Sequence, residues 1–279
     1  MLEVLNDDAP KMAPKTKFSH AQSVNMFLNW CVDQQYSITP HFSAILKSLL
    51  KRPSSQSDCR DKEFTSEELR LIFESPQYTK GLFKTASEFW MPLLALFTGA
   101  RESELCQLWT NDIYQHSDGE TWLISINSKV NKSVKNNSSN RIIPVHPTLI
   151  QLGWLDFVSE AKQFERNCLF PNEQRNKRGE FSAYSKRFNR FKAKQGIKSS
   201  KDAKKDFHSF RHTVQGFLFG AGEEEYIINR LVGHSEARRS EGIKTYAKGG
   251  PSIATLANTL FKLEYGFDIS KINRNGWQV

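Results

Sequence analysis

Apolar residues recur along this chain at a helical interval almost everywhere, and at an alternating interval in one short region. Residues 1–18 are polar and carry Pro10, Lys11, Pro14, Lys15 and Lys17, a composition suited to an extended segment. Ser19 to Gln35 then reads as an amphipathic helix with Val24, Phe27, Leu28 and Cys31 on one side, and Ile45, Leu46, Leu49 and Leu50 continue a helical spacing after Pro40. These positions are too few for a separate core. Residues 1–52 are therefore expected to be a partial helical segment, 53–63 a linker, and 64–279 the main domain, with Lys51 to Asp58 supplying the linker composition.

The main domain opens with Thr65 and Glu68 at capping-box spacing before Leu69, Ile72 and Phe73. Ala86 to Phe97 is apolar nearly all round, which predicts a helix buried at the centre, with Pro92 inside it. Thr98-Gly99-Ala100 breaks it, and Arg101 to Leu105 opens another helix. The interval then changes. Thr121 to Ile126 and Arg141 to Val145 are β-rich runs around a polar loop, Asn127 to Asn140, and predict a hairpin with Pro144 on an edge strand. Helical spacing returns from Leu149. In Asp206 to Phe219 it places Phe207, Phe210, Val214 and Phe217 on one stripe.

Charge sharpens this picture. The 279 residues carry a net charge of +9, and between Glu173 and Lys205 twelve Lys/Arg stand against three acids, enough for the whole excess. In that stretch Phe181, Tyr184, Phe188 and Phe191 are spaced as a core stripe. Lys186, Arg187, Arg190, Lys192 and Lys194 occupy the remaining surface as an expected phosphate-tracking face. Nucleic acid is the expected partner. No apolar run is long enough to span a membrane, and the first residues do not form a signal peptide. Cys31, Cys59, Cys106 and Cys168 are scattered without a Cys-x-x-Cys pair, which points to a reducing, cytoplasmic setting.

Candidate chemistry gathers late in the chain. His208 and Arg211 lie three apart, so on a helix they reach one target together, and an imidazole beside a guanidinium suits an oxyanion. Arg101 follows a buried helix and a glycine turn. Lys135 lies in the hairpin loop, His234 follows Gly233 at an expected helix end, and Tyr246 stands just before Gly249-Gly250. Two permanently charged guanidiniums can neutralise a pentacoordinate phosphate without a metal. A tyrosine hydroxyl in such a cationic site becomes a competent nucleophile.

These residues resemble the tyrosine recombinases, or phage-type integrases. The likeness rests on Thr98-Gly99-Ala100-Arg101-Glu102-Ser103-Glu104-Leu105, on Lys135 with Ser139, Arg141 and Pro144, on His208-x-x-Arg211, on Leu231-x-Gly233-His234, and on Tyr246, in that order. The resemblance implies a mainly α catalytic fold with a small antiparallel β-sheet, and DNA cleavage through a 3′-phosphotyrosine without cofactor, metal or ATP. It makes Arg101 and Arg211 the phosphate clamp, His208 the acid/base histidine, and His234 the residue at the position held by His or Trp. Lys135 would protonate the leaving 5′ oxygen, Glu104 would support the site, and Tyr246 would be the nucleophile. Self-association into a tetramer on two DNA sites is implied as well.

The interval from His234 to Tyr246 is a few residues longer than is common in that family, which leaves Tyr265 as a rival nucleophile; its apolar surroundings favour packing. Lys129 and Lys132 share the loop with Lys135. The short N-terminal segment suggests a chain lacking its front portion. Other functions remain open: a catalytically inactive DNA-binding regulator on this scaffold, a type IB topoisomerase, and a zinc hydrolase using His208, His212 and His234. Against the last, Ser209 stands where a metalloprotease has its glutamate, and Arg211 would repel a cation. The C-terminal helix, Ile253 to Phe261, could dock on a neighbour or pack in cis.

Overall fold

The computed structural model describes residues 12–36, 50, 62–129, 132–134, 139–197, 205–234 and 250–274. The expected helical run at 45–49, the linker at 51–58, Lys135 and Tyr246 lie outside the described residues. The chain divides into two compact units, Met1–Cys59 and Arg60–Val279.

In the first unit, helix α1 spans Pro14–Asp33 with a proline in its first turn, where the missing N–H costs nothing. The side expected to be covered is covered only in part. Ala21 is buried and Phe18, Asn25, Leu28 and Cys31 are half-buried, whereas Val24 and Phe27 are 45% and 61% exposed. Apolar residues occupy two flanks of this helix, so periodicity alone selects neither.

The second unit carries helices α2 (Ser66–Phe73), α3 (Pro76–Thr79), α4 (Ala86–Thr98), α5 (Glu102–Cys106), α6 (Pro147–Gln151), α7 (Trp154–Gln163), α8 (Ala183–Lys194), α9 (Ser209–Gly220), α10 (Glu225–Val232) and α11 (Ile253–Leu260). Between α5 and α6 lie strands β1 (Ile113–Gln115), β2 (Trp122–Ile126) and β3 (Arg141–Pro144). The fold is mainly α with a small antiparallel sheet, as the sequence predicts.

Thr65 and Glu68 cap α2 reciprocally, the side chain of each accepting from the other's backbone N–H. Every residue of α4 from Phe89 to Thr98 is buried, and the helix runs through Pro92. It is the axis of the core, with α9 packed along it. Full burial of each large side chain, such as Trp90, Phe89 and Phe210, contributes about 1.5–3 kcal/mol relative to exposure.

The sheet has the order β1-β2-β3, with Ile124 opposite both Ile113 and Ile143. β3 is an edge strand, which accommodates Pro144. β1 has no sequence signature because it is three residues long and buries only Ile113. α11 packs in cis through Leu256, Ala257 and Leu260, against β3 and α10. Tyr265 is buried and its hydroxyl donates to the Leu96 carbonyl at 3.0 Å, so it packs as expected. Among the described residues no helix is long and apolar enough to cross a membrane.

Candidate active site

The site is organised by the last turn of α10. A helix ends with carbonyls that have no partner of their own, at the negative end of its dipole. Here three consecutive ones each receive a different arginine. Leu231 O accepts from Arg141 Nε at 2.7 Å, Val232 O accepts from Arg211 Nη1, and Gly233 O accepts from Arg101 Nη2 at 3.0 Å. Arg211 Nη1 also donates to Gly99 O at 2.9 Å, the carbonyl of the residue that ends α4.

Two glycines permit this convergence. Gly233 ends α10 at φ 73°, and a Cβ there would lie 2.7 Å from Arg141 Nη1. Gly99 ends α4 at φ 62°, and a Cβ there would lie 2.8 Å from Val232 Cγ1. Both positions therefore require the left-handed backbone and the missing side chain together.

Glu104 is the acidic counterpart. Its carboxylate accepts from Arg101 Nη1 at 2.6 Å, from the Arg101 backbone N–H at 2.9 Å and from Arg141 Nη2 at 2.8 Å. Burial alone would raise its pKa; the Arg141 guanidinium, then the bonds and charge of Arg101, overcome this and hold it below the usual carboxylate range. Ser139, fully buried, accepts from Arg101 Nη1 on its hydroxyl at 3.1 Å and from Arg141 Nη1 on its carbonyl at 2.9 Å. Arg141 matches a motif position in the sequence but carries no site role there. The structure makes it the buried brace between Glu104, Ser139 and α10.

Arg211 is treated differently. It is 1% exposed, and among the described residues its Nε and Nη2 have no hydrogen-bond partner. Burial, then the neighbouring Arg101 and Arg141, pull its pKa down to about 9, against the pull of Glu104. Two of the three guanidiniums thus share the Glu104 carboxylate by direct contact, and the third, Arg211, is the least compensated and lies deep. A buried, unpaired charge is costly, so this arrangement favours an anion.

Two histidines complete the cluster. His208 caps α9 on an exposed rim, its backbone N–H donating to Asp206 Oδ1 at 2.9 Å. His234 follows Gly233, and its Nδ1 lies 3.2 Å from Gln215 Nε2 on α9. Both pKa values fall to about 4. For His208 the causes are desolvation against the protein and then His212, Arg211 and Arg101; for His234 they are desolvation and then Arg211, Arg101, His208 and His212. Arg101, Glu104, His208, Arg211 and His234 are therefore one electrostatic cluster. Among the described residues no three His, Cys, Asp or Glu side chains are grouped to hold a metal ion.

The hairpin lysines separate. Lys132 is pinned, its ammonium on Asp112 Oδ2 and 4.8 Å from the Trp109 ring centre, whereas Lys129 is exposed. The expected phosphate-tracking face on α8 also divides. Lys186 lines an open cleft together with Arg101, Ser103, Ser133 and His208. Arg190 and Lys194 line a different cleft, floored by Phe83 and Phe188. Arg187 also lines that second cleft and is paired with Glu173 and, at 3.7 Å, Glu88. Lys192 does not belong to a surface face at all: it is 2% exposed and its ammonium donates to the Lys205 carbonyl. A lysine stem one turn from Phe188 is drawn into the core, and the carbonyl satisfies its head.

The model of the phage integrase family matches residues 43–247. No curated protein matches the chain. Among solved structures, it is similar to the integrase of transposon Tn1549 in complex with circular intermediate DNA, with 19% identity, a TM-score of 0.51, and coverage of 84% of this chain and 78% of that one. The integrase from mycobacterium phage Brujita gives 16% identity, a TM-score of 0.47, and coverage of 95% and 80%. The XerH site-specific recombinase bound to a palindromic difH substrate gives 20% identity, a TM-score of 0.48, and coverage of 67% and 51%, so this chain spans about half of that one.

Proposed function

We propose that this chain, which belongs to the phage integrase family, is a site-specific DNA recombinase that cuts and rejoins double-stranded DNA through a covalent 3′-phosphotyrosine. The observation that carries the reading is the buried Arg211, whose Nε and Nη2 have no partner among the described residues, beside a second arginine, Arg101, held on the adjacent carbonyl of the same helix end. A backbone phosphodiester supplies what this cluster lacks, and the phosphorane formed on attack supplies a further negative charge. The guanidiniums thus bind the transition state more tightly than the ground state.

In this scheme the Tyr246 oxygen attacks the scissile phosphorus, losing its proton, with His208 serving the proton transfers. The phosphorus–O5′ bond breaks, and Lys135 protonates the leaving 5′ oxygen. Arg101 and Arg211 clamp the non-bridging oxygens, and Glu104 holds Arg101 in place. The phosphotyrosyl ester conserves the energy of the broken diester, so a 5′ hydroxyl from either duplex reverses the step with no ATP, metal or cofactor. Exchange between two duplexes assembles four protomers. The reaction takes place in the cytoplasm, where the free Cys31, Cys106 and Cys168 stay reduced.

The test uses a pool of nicked duplexes with randomised sequence at the cut, in which loss of a short 5′ fragment traps the adduct. The full chain should form a covalent adduct mapped by mass spectrometry to Tyr246 at a DNA 3′ end, and Tyr246→Phe should bind DNA and form none. Bound DNA with no adduct from any member of the pool would refute the reading.

A further inference from the structure

We propose that Gln215 sets the tautomer of His234: its carboxamide nitrogen donates to Nδ1, so the ring proton sits on Nε2 and serves as a fixed donor to the bound oxyanion. The assignment rests on the phosphate-binding reading of the site and adds to it a positioning residue that acts through His234.

Gln215 lies four residues after Arg211 on α9, hence on the same face, one turn further along. Its Nε2 is 3.2 Å from His234 Nδ1. An amide nitrogen only donates, so Nδ1 must offer a lone pair. Where the single proton then resides depends on whether the ring is neutral. The charged and titratable groups acting on it are Arg211 and His212 from α9, His208 at the N-cap of α9, and Arg101 at the N-cap of α5, while Arg141 from β3 lies against the preceding Gly233. Among the described residues the carboxylate paired with these arginines, Glu104, is taken up by Arg101 and Arg141. A second proton on His234 would be desolvated and would face the cations Arg211 and Arg101, which agrees with its pKa of about 4.

A neutral ring with Nδ1 accepting carries its hydrogen on Nε2. At neutral pH His234 is then a hydrogen-bond donor that cannot collect a proton, and proton transfer is left to other groups. The opposite carboxamide orientation, with Oε1 toward the ring, would demand Nδ1–H and leave Nε2 an acceptor, repelled by phosphate oxygen. The tautomer thus reports which end of Gln215 faces the histidine.

The experiment is long-range 1H–15N correlation on the full chain with 15N-labelled histidine, for the wild type, Gln215→Leu and Gln215→Glu. The wild type should show His234 unprotonated at Nδ1 and protonated at Nε2 near neutral pH. Gln215→Leu should release the ring into a mixture of both tautomers. Gln215→Glu should move the proton to Nδ1 and raise the titration midpoint of His234 by about one pH unit or more. With the donor to phosphate misplaced, covalent adduct formation by Gln215→Glu should fall by about 100-fold while DNA affinity holds.

A wild-type His234 protonated at Nδ1 overturns the proposal without any variant. An identical tautomer and midpoint in all three proteins overturns it too. If the tautomer behaves as expected but the wild type forms no adduct with the nicked pool, the recombinase reading fails and the Gln215–His234 assignment stands.

Discussion

The arginines around the end of α10 and the basic residues of α8 are the same chemistry put to opposite uses. At α10 each guanidinium is fixed on a backbone carbonyl, and Arg101 and Arg141 also share one carboxylate, so the positive charge is concentrated where protein groups replace much of the water. On α8 the charges scatter: Lys186 faces the cleft beside Arg101, Arg187 is neutralised by Glu173, Lys192 is buried, and Arg190 and Lys194 face elsewhere. Density of charge along a sequence measures attraction to a polyanion; only enclosure turns a charge into a means of stabilising a transition state.

The sharpest way to break this comparison is Arg211→Ala. Removing the least compensated guanidinium should slow adduct formation by about 1,000-fold or more, while DNA affinity falls only a few-fold. Proportional losses in both, measured by single-turnover cleavage and by equilibrium binding, would make Arg211 no different from a residue of α8.

Glu104→Gln tests the storage itself. It leaves the buried Arg141 and the half-buried Arg101 without their carboxylate and should destabilise folding by about 3–5 kcal/mol in denaturant titration. A loss below about 1 kcal/mol would mean that the carbonyls alone hold the cluster.

On α8 the effects should be smaller and divided. Lys186→Ala should lower the salt dependence of DNA binding by about one phosphate's worth, whereas Lys192→Met should leave that slope unchanged and alter only stability. Equal slopes for the two variants would restore a continuous tracking face.

The mildest effect concerns pH. His146, His208 and His234 each have a folded pKa near 4, below the ordinary histidine value of 6.5, mainly through desolvation. The unfolded chain therefore binds more protons between these values. Stability should be full above about pH 6.5 and decline as pH falls toward 4. His146, buried with its ring 4.6 Å from that of Phe97, is the cleanest contributor. Its replacement by Phe should flatten the decline in thermal melts between these pH values, and an unchanged slope would assign the effect to the two site histidines.

The elements that position the site could be read directly from residue order. The buried character of Ala86 to Phe97, the Thr65–Glu68 cap, the hairpin and the stripe of α9 are each local or periodic, and local preferences survive folding. The residue types needed for a phosphate site were equally visible. What no local rule conveys is that Leu231, Val232 and Gly233 present three carbonyls to Arg141, Arg211 and Arg101, that Arg141 shares Glu104, or that Gln215 holds His234. Nor does it convey that Lys192 turns inward while Lys186 faces the cleft. Those outcomes depend on which surfaces meet once α4, α9, α10 and β3 pack together, and a side chain's partner is chosen by that packing rather than by its neighbours in the chain.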